Sequence, residues 1–165
     1  MKTLYLIGGT MGVGKTTVCQ ALKKQLSQSV FLDGDWCWNM SPFQVNEETK
    51  KMVIDNICSL LNNFIQCSCL ENIIFCWVMH EQSIIDDILS RLNTSNCKVK
   101  CYSLTVSQEM LKKRLQNDIE NKIRKEDVIE RSIARLEMYQ QLDTIKIDTS
   151  LMSVDEIVEM IENEI

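Results

Sequence analysis

Apolar residues follow two rhythms along this chain. Short unbroken runs occur at Lys2–Gly8, Val30–Leu32, Asn72–Val78 (NIIFCWV), Lys98–Leu104 and Thr144–Asp148. Runs of this kind predict strands covered on both faces, as in a parallel sheet. Between them lie stripes at helical spacing. Lys15–Ser27 carries Val18, Ala21, Leu22 and Leu26. Glu47–Gln66 carries Val53, Ile57, Leu60, Leu61 and Phe64. Gln82–Leu92 carries Ile84, Ile85, Ile88 and Leu92. A further helix is expected from Ser107, a suitable N-cap, to Leu115, and another over Glu126–Gln141. Ser153-Val-Asp-Glu156 reads as a capping box that opens a last helix. Asp118–Glu126 is charged and only weakly periodic. Strand–helix alternation with five buried strands predicts one three-layer α/β domain over residues 1–165. Its sheet is five-stranded and parallel, with helices on both faces. Ligands of such sheets bind at the carboxyl ends of the strands.

Composition narrows the picture. The chain has 165 residues, 45% hydrophobic and 25% charged, with a formal net charge of −5. A globular chain is expected, with neither nucleic acid nor an anionic membrane as main partner. No apolar run approaches the ~18 residues of a membrane helix, and no signal peptide is visible, so a cytoplasmic location is expected. The eight cysteines then read as reduced packing residues. The close pair Cys67-Ser-Cys69 lacks the two-residue spacer and the partner pair of a zinc site. Four of the five glycines fall between Gly8 and Gly14, and the fifth is Gly34. Those two places are where the backbone is asked to do something special.

The first glycine cluster reads Gly9-Thr10-Met11-Gly12-Val13-Gly14-Lys15-Thr16, followed by Thr17. It matches G-x-x-x-x-G-K-[ST] and stands between a predicted strand and a predicted helix, the context a phosphate loop requires. Glycines let successive backbone N–H groups turn toward phosphate oxygens, and the helix start presents its positive end to the same anion. Lys15 supplies a mobile charge to the β- and γ-phosphates, and the Thr16 hydroxyl is a Mg²⁺ ligand. The expected cofactors are ATP and Mg²⁺.

The motif alone leaves kinases, GTPases, motors and regulatory ATPases open. Asn121-Lys122-Ile123-Arg124 lacks the aspartate of a guanine motif, and the third strand ends Trp77-Val78-Met79-His80 rather than in an acid. The acidic pair closes the second strand instead, in Phe31-Leu32-Asp33-Gly34-Asp35. Here the chain resembles the small P-loop metabolite kinases: shikimate kinase, gluconate kinase, adenylylsulfate kinase and chloramphenicol phosphotransferase-like proteins. The resemblance implies the strand order 2-3-1-4-5. It also implies that Asp33 holds Mg²⁺ through water and that Asp35 binds the acceptor hydroxyl and takes its proton. An in-line transfer to a hydroxyl needs one carboxylate near the γ-phosphate and a second on the metal.

The same resemblance implies further roles. Arg114 would reach the phosphates, with Arg124 in a short lid around 116–126. Arg135, four residues before Tyr139, would hold substrate. Asp148, Thr149 and Ser150 would lie against adenine. The departures are a third strand end without the glycine run of shikimate kinase, and no arginine from Met1 to Ser90, where only Lys50 and Lys51 stand near the acceptor side. Shikimate is thereby disfavoured. All three tryptophans fall in two segments, so Trp36, Trp38, Trp77 and His80 are expected to wall an acceptor pocket suited to a ring. The expected activity is ATP-dependent transfer of the γ-phosphoryl group to a hydroxyl of a small metabolite. A nucleoside or nucleotide kinase and a regulatory ATPase module remain open, as do monomer and homodimer.

Overall fold

The fold was described from a computed structural model covering residues 1–163; Glu164 and Ile165, the end of the expected single domain, lie outside the described residues. Five strands form one parallel sheet in the order β2-β3-β1-β4-β5. They are β1 (Lys2–Gly9), β2 (Ser29–Asp33), β3 (Asn72–Trp77), β4 (Cys97–Thr105) and β5 (Ile145–Asp148). The helices are α1 (Lys15–Gln25), α2 (Glu47–Gln66), α3 (Gln82–Ser90), α4 (Gln108–Glu120), α5 (Val128–Gln140) and α6 (Val154–Asn163). A 3-10 turn, Gly34–Trp38, links β2 to the segment before α2.

Strand alternation sorts the core into two layers. Tyr5, Ile7, Ile74, Cys76, Tyr102 and Leu104 pack with Val18 and Leu22 of α1, Leu111 and Leu115 of α4, and Ile157 and Ile161 of α6. Leu4, Leu6, Ile73 and Phe75 face the other way, onto Val53, Ile57 and Leu61 of α2 and Ile85 and Ile88 of α3. Each such fully buried aliphatic side chain contributes about 1.5–3 kcal/mol. Asn46 opens α2 with a reciprocal cap: its Oδ1 accepts from the Thr49 N–H at 2.9 Å, and its own N–H donates to Thr49 Oγ1 at 3.0 Å.

Register positions the site. Asp33 pairs with Cys76, and Cys76 with Ile7. The end of β2 is therefore level with the end of β1, where the glycine loop starts.

The segment 116–126, expected as a lid, is helical in its first half, where α4 continues to Glu120. Residues Gln116–Glu120 contain no Gly or Pro, and Ile119, half-buried against the core, continues the stripe of Leu111 and Leu115 by one more turn. The helix then stops in a Schellman motif. Lys122 has φ 58°, its N–H donates to Ile119 O at 2.9 Å, and the Ile123 N–H donates to Asp118 O at 2.8 Å. Only the residues after Glu120 form a connection to α5.

Candidate functional site

Glycine shapes the loop from Gly9 to Gly14, most plainly at Gly12 and Gly14. Gly12 has φ 84° and Gly14 φ 101°, a region that costs other L-residues steric strain. At Gly12 an added Cβ would also stand 2.5 Å from Leu115 Cδ2, so α4 packs directly on the loop. At Gly14 an added Cβ would meet nothing within 4 Å; this glycine borders open space. The first turn of α1 has neither a side-chain cap nor an acidic residue. Its N–H groups are thus left for an external acceptor, with the helix dipole behind them.

Polar contacts fix the surroundings of this loop. Thr10 Oγ1 donates to Ser132 O at 2.9 Å in the buried interior, tying the loop to α5. Lys15 Nζ donates to Thr10 O at 3.1 Å, and burial of the ammonium draws its pKa down. Thr16 Oγ1 donates to Asp33 Oδ2 at 2.8 Å, and Asp33 Oδ1 accepts from the Asp35 N–H at 3.0 Å. Asp33 is buried while Asp35 opens to solvent at the mouth of the cleft. Partial burial raises the Asp35 pKa, and the Asp33 charge raises it further. Lys15, a Trp77 hydrogen bond and Arg124 pull the other way.

These groups line one cleft of about 350 Å³. Its walls are Met11, Gly12, Gly14, Lys15, Thr16, Thr17, Asp33, Asp35, Val78, Arg114, Asn117, Asp118 and Arg124. Hollows of about 430 Å³ beside Met1 and Cys97 and about 500 Å³ beside Lys98 and Ile145 contain none of these residues. Among the described residues, only the cleft joins a phosphate loop to paired carboxylates.

Sequence-derived expectations meet this geometry unevenly. Lys15, Thr16, Asp33, Asp35, Arg114 and Arg124 converge. Arg114 does so as a brace. It donates to Val13 O and Thr149 Oγ1 at 3.3 Å, and to Thr149 O at 3.1 Å, holding the glycine loop and the β5 turn together. Arg124 folds back onto Asp118, with Nε 3.0 Å from Oδ2. Asp148, Thr149 and Ser150 lie outside the cleft lining. Asp148 Oδ1 accepts from the Ser150 N–H and hydroxyl, and Ser150 Oγ accepts from the Ser107 N–H. Gly9, Thr10 and Val13 form the loop's inner side. Asn117 and Asp118 were not singled out by sequence. They stand three and four residues after Arg114, and that helical spacing is the signal that would have found them.

The residues expected to wall an acceptor pocket do not all stand together. Trp36 and Trp38 diverge from the 3-10 turn toward opposite sides of the sheet. Trp36 is 54% exposed and meets Phe31 edge-on, with centroids 5.2 Å apart, on the α1 side. Trp38 packs on the α2 side, its Nε1 donating to Gln44 O at 3.1 Å and its ring tilted against Phe43 and Trp77. His80 also lies off the cleft lining. Its Nδ1 is buried without a partner, its Nε2 is 3.6 Å from Glu81 Oε1, and burial with the nearby Arg135 charge lowers its pKa. Arg135 thus stands near His80 rather than in the cleft, and Tyr139 is fully buried.

Gly34 acquires a different explanation from the loop glycines. It needs no positive φ. An added Cβ would lie 2.5, 2.6 and 2.9 Å from Trp77 Cγ, Cδ1 and Cβ. Glycine stands between the two aspartates because the indole packs against its backbone.

Residues 6–135 match the family described as an AAA domain. The chain belongs to the AAA domain family. No curated protein matches it by sequence. Solved structures share the fold of this AAA domain at low identity. The tunicamycin resistance protein of Deinococcus radiodurans is 18% identical with a TM-score of 0.76, over 99% of this chain and 95% of that one. A gluconokinase from Sinorhizobium meliloti 1021 is 15% identical with a TM-score of 0.70, over 95% and 87%. A sugar kinase from Janibacter sp. HTCC2649 is 14% identical with a TM-score of 0.76, over 99% and 94%. The fold is therefore that of the small P-loop kinases, in agreement with the strand order expected from sequence.

Proposed function

We propose that this AAA domain is an ATP-dependent phosphotransferase that moves the γ-phosphoryl group to a hydroxyl of a small, ring-bearing metabolite. The observation that carries this reading is the pairing of Thr16 with Asp33 at 2.8 Å, with Asp35 in the same cleft beside the glycine loop. A hydroxyl and a carboxylate are hard oxygen donors, the set that suits Mg²⁺. Thr16 and Asp33 would hold that ion, which when bound offsets charge on the nucleotide phosphates. Gly12, Gly14 and the first N–H groups of α1 cradle the phosphate oxygens. Lys15 leaves the Thr10 carbonyl to follow the transferring group, with Arg124 beside it. Arg114 keeps the loop in shape from behind.

Asp35 is the base in this scheme. It accepts the acceptor's hydroxyl proton as the new O–P bond forms and ADP departs with the electrons of the broken bond. A carboxylate whose pKa is raised is a better proton acceptor near neutrality than an ordinary one. The aromatic strip Phe43–Trp38–Trp77 leads up to Asp35, which supports a ring on the acceptor. That two neighbours of the same fold are named gluconokinase and sugar kinase is in keeping with an acceptor of this size.

Replacing Asp35 by Asn tests the reading. Positioned bases contribute typically about 10²–10⁴-fold, so turnover is expected to fall by that factor while ATP affinity, read by calorimetry, stays near wild type. Retained turnover would remove Asp35 from the role. A loss of ATP affinity equal to the loss of turnover would make Asp35 a nucleotide ligand instead.

A further inference from the structure

At the end of the sheet away from the cleft, α2 finishes in a turn that carries two cysteines. Cys67 is the C-cap of α2, its N–H donating to Asn63 O at 3.1 Å and Phe64 O at 3.2 Å. The Leu70 N–H donates back to Cys67 O at 3.2 Å, closing a four-residue turn through Ser68 and Cys69. The Lys2 ammonium donates to both Cys67 O and Leu70 O, clamping that turn onto the start of β1. Within this fixed turn, Cys67 Sγ and Cys69 Sγ stand 3.2 Å apart at the surface. The other six cysteines are buried or half-buried in the sheet, in its helices or in the 3-10 turn. Core packing accounts for those thiols. It does not account for two sulfurs held side by side on a turn where Cys69 is exposed and Cys67 half-buried.

We propose that Cys67 and Cys69 form a reversible dithiol–disulfide site that exchanges with low-molecular-weight disulfides of the glutathione type. The turn has already brought the sulfurs together. Closing a bond at about 2.05 Å requires an approach of about 1.2 Å from the observed separation, within reach of side-chain rotation on an exposed turn. Cys67 is the attacking sulfur: the Lys2 ammonium is held on its own carbonyl, and a hydrogen bond from Cys69 favours its thiolate, with the Lys2 charge adding to this. The thiolate, not the thiol, is the nucleophile.

The exchange takes two steps. The Cys67 thiolate attacks one sulfur of the small disulfide, whose S–S bond breaks and whose other half leaves as a thiolate and takes up a proton. Cys69, losing its proton to water, then attacks the Cys67 sulfur of the mixed disulfide and expels the second thiol. Two electrons pass from the protein dithiol to the small disulfide, giving one protein disulfide and two free thiols. A bond across so short a loop is expected to be readily reduced, as labile disulfides are.

The whole protein, reduced and then equilibrated in glutathione buffers of rising oxidised fraction, is quenched with acid, alkylated and peptide-mapped. The expected result is a Cys67–Cys69 disulfide whose ratio to the dithiol rises in proportion to the concentration of glutathione disulfide over the square of that of glutathione. The Cys69→Ser variant is expected to carry one glutathione on Cys67 instead. As a second measurement on the unaltered chain, phenylarsine oxide, which bridges neighbouring thiols, is expected to protect Cys67 and Cys69 together from alkylation. Mixed disulfides without the internal bond, pairing through Cys97 or another cysteine first, or alkylation of both thiols undiminished by the arsenical would overturn the proposal.

Discussion

Changing Gly34 to Ala places a methyl group where Trp77 already stands. The three contacts, 2.5 Å to Cγ, 2.6 Å to Cδ1 and 2.9 Å to Cβ, involve the root of the side chain, so rotating the distal ring cannot relieve them. Either the Trp77 backbone or the Asp33–Asp35 turn has to move. Overpacking of this kind costs about 1–3 kcal/mol. Removing a glycine from an ordinary backbone conformation returns about 0.4–1 kcal/mol through the unfolded chain. The net expectation is a destabilisation of about 1–2 kcal/mol. For a chain of this length each kcal/mol moves Tm by about 2–4 °C, so a fall of about 2–8 °C follows. Activity is expected to drop further than stability. Asp33 and Asp35 flank the altered residue, and a misplacement of about 1 Å can cost about 10²-fold. Thermal denaturation and ADP release on the same preparation separate the two effects. A double-mutant cycle with Trp77→Ala supplies the control, because the cost of the added methyl is expected to shrink when the indole is gone. Wild-type Tm and wild-type turnover for Gly34→Ala would refute the packing argument for this glycine.

Other outcomes follow from the same geometry. Gly14→Ala forces φ 101° on an alanine without a clash; a strain of about 1–2 kcal/mol and weakened ATP binding are expected by calorimetry, and undiminished binding would count against the loop assignment. Asn46→Ala removes the reciprocal cap of α2 and is expected to cost about 1 kcal/mol in chemical denaturation. His80 has a folded-state pKa below its ordinary value of 6.5, so around pH 6 the unfolded chain binds more protons than the folded one. Its contribution is therefore lost as pH falls through 6.5 toward the lower folded value, and His80→Gln is expected to flatten that part of the stability–pH curve.

Much of the fold could be read in advance because its signals are local and strong. The runs Lys2–Gly8 and Asn72–Val78 are apolar on both faces and have only one comfortable place, the centre of a parallel sheet. The glycine loop then fixes which strand ends carry the site. Lys15, Thr16, Asp33 and Asp35 follow from β1 and β2 ending at the same level. The tryptophans could not be placed in the same way. Residues two apart share a face in a strand but diverge in a 3-10 turn, and sequence does not say which geometry follows Asp35. Arg114 was expected to reach phosphate. Its three bonds to Val13 and Thr149 depend on residues distant in sequence, which no local pattern links. The extension of α4 to Glu120 rests on one further apolar position, Ile119, four residues after Leu115, a single residue among charged and polar neighbours.

The most direct test of the account is an ADP-release screen with Mg²⁺ and ATP over sugars, nucleosides, polyol acids and ring-bearing antibiotics, with phosphorylated product identified by mass. A hydroxyl compound with a ring is expected to stimulate ADP release, to gain one phosphoryl group, and to do neither with the Asp35→Asn protein. ADP release that no hydroxyl compound stimulates, and that continues unchanged in Asp35→Asn, would contradict phosphoryl transfer and leave a nucleotide-hydrolysing module in its place.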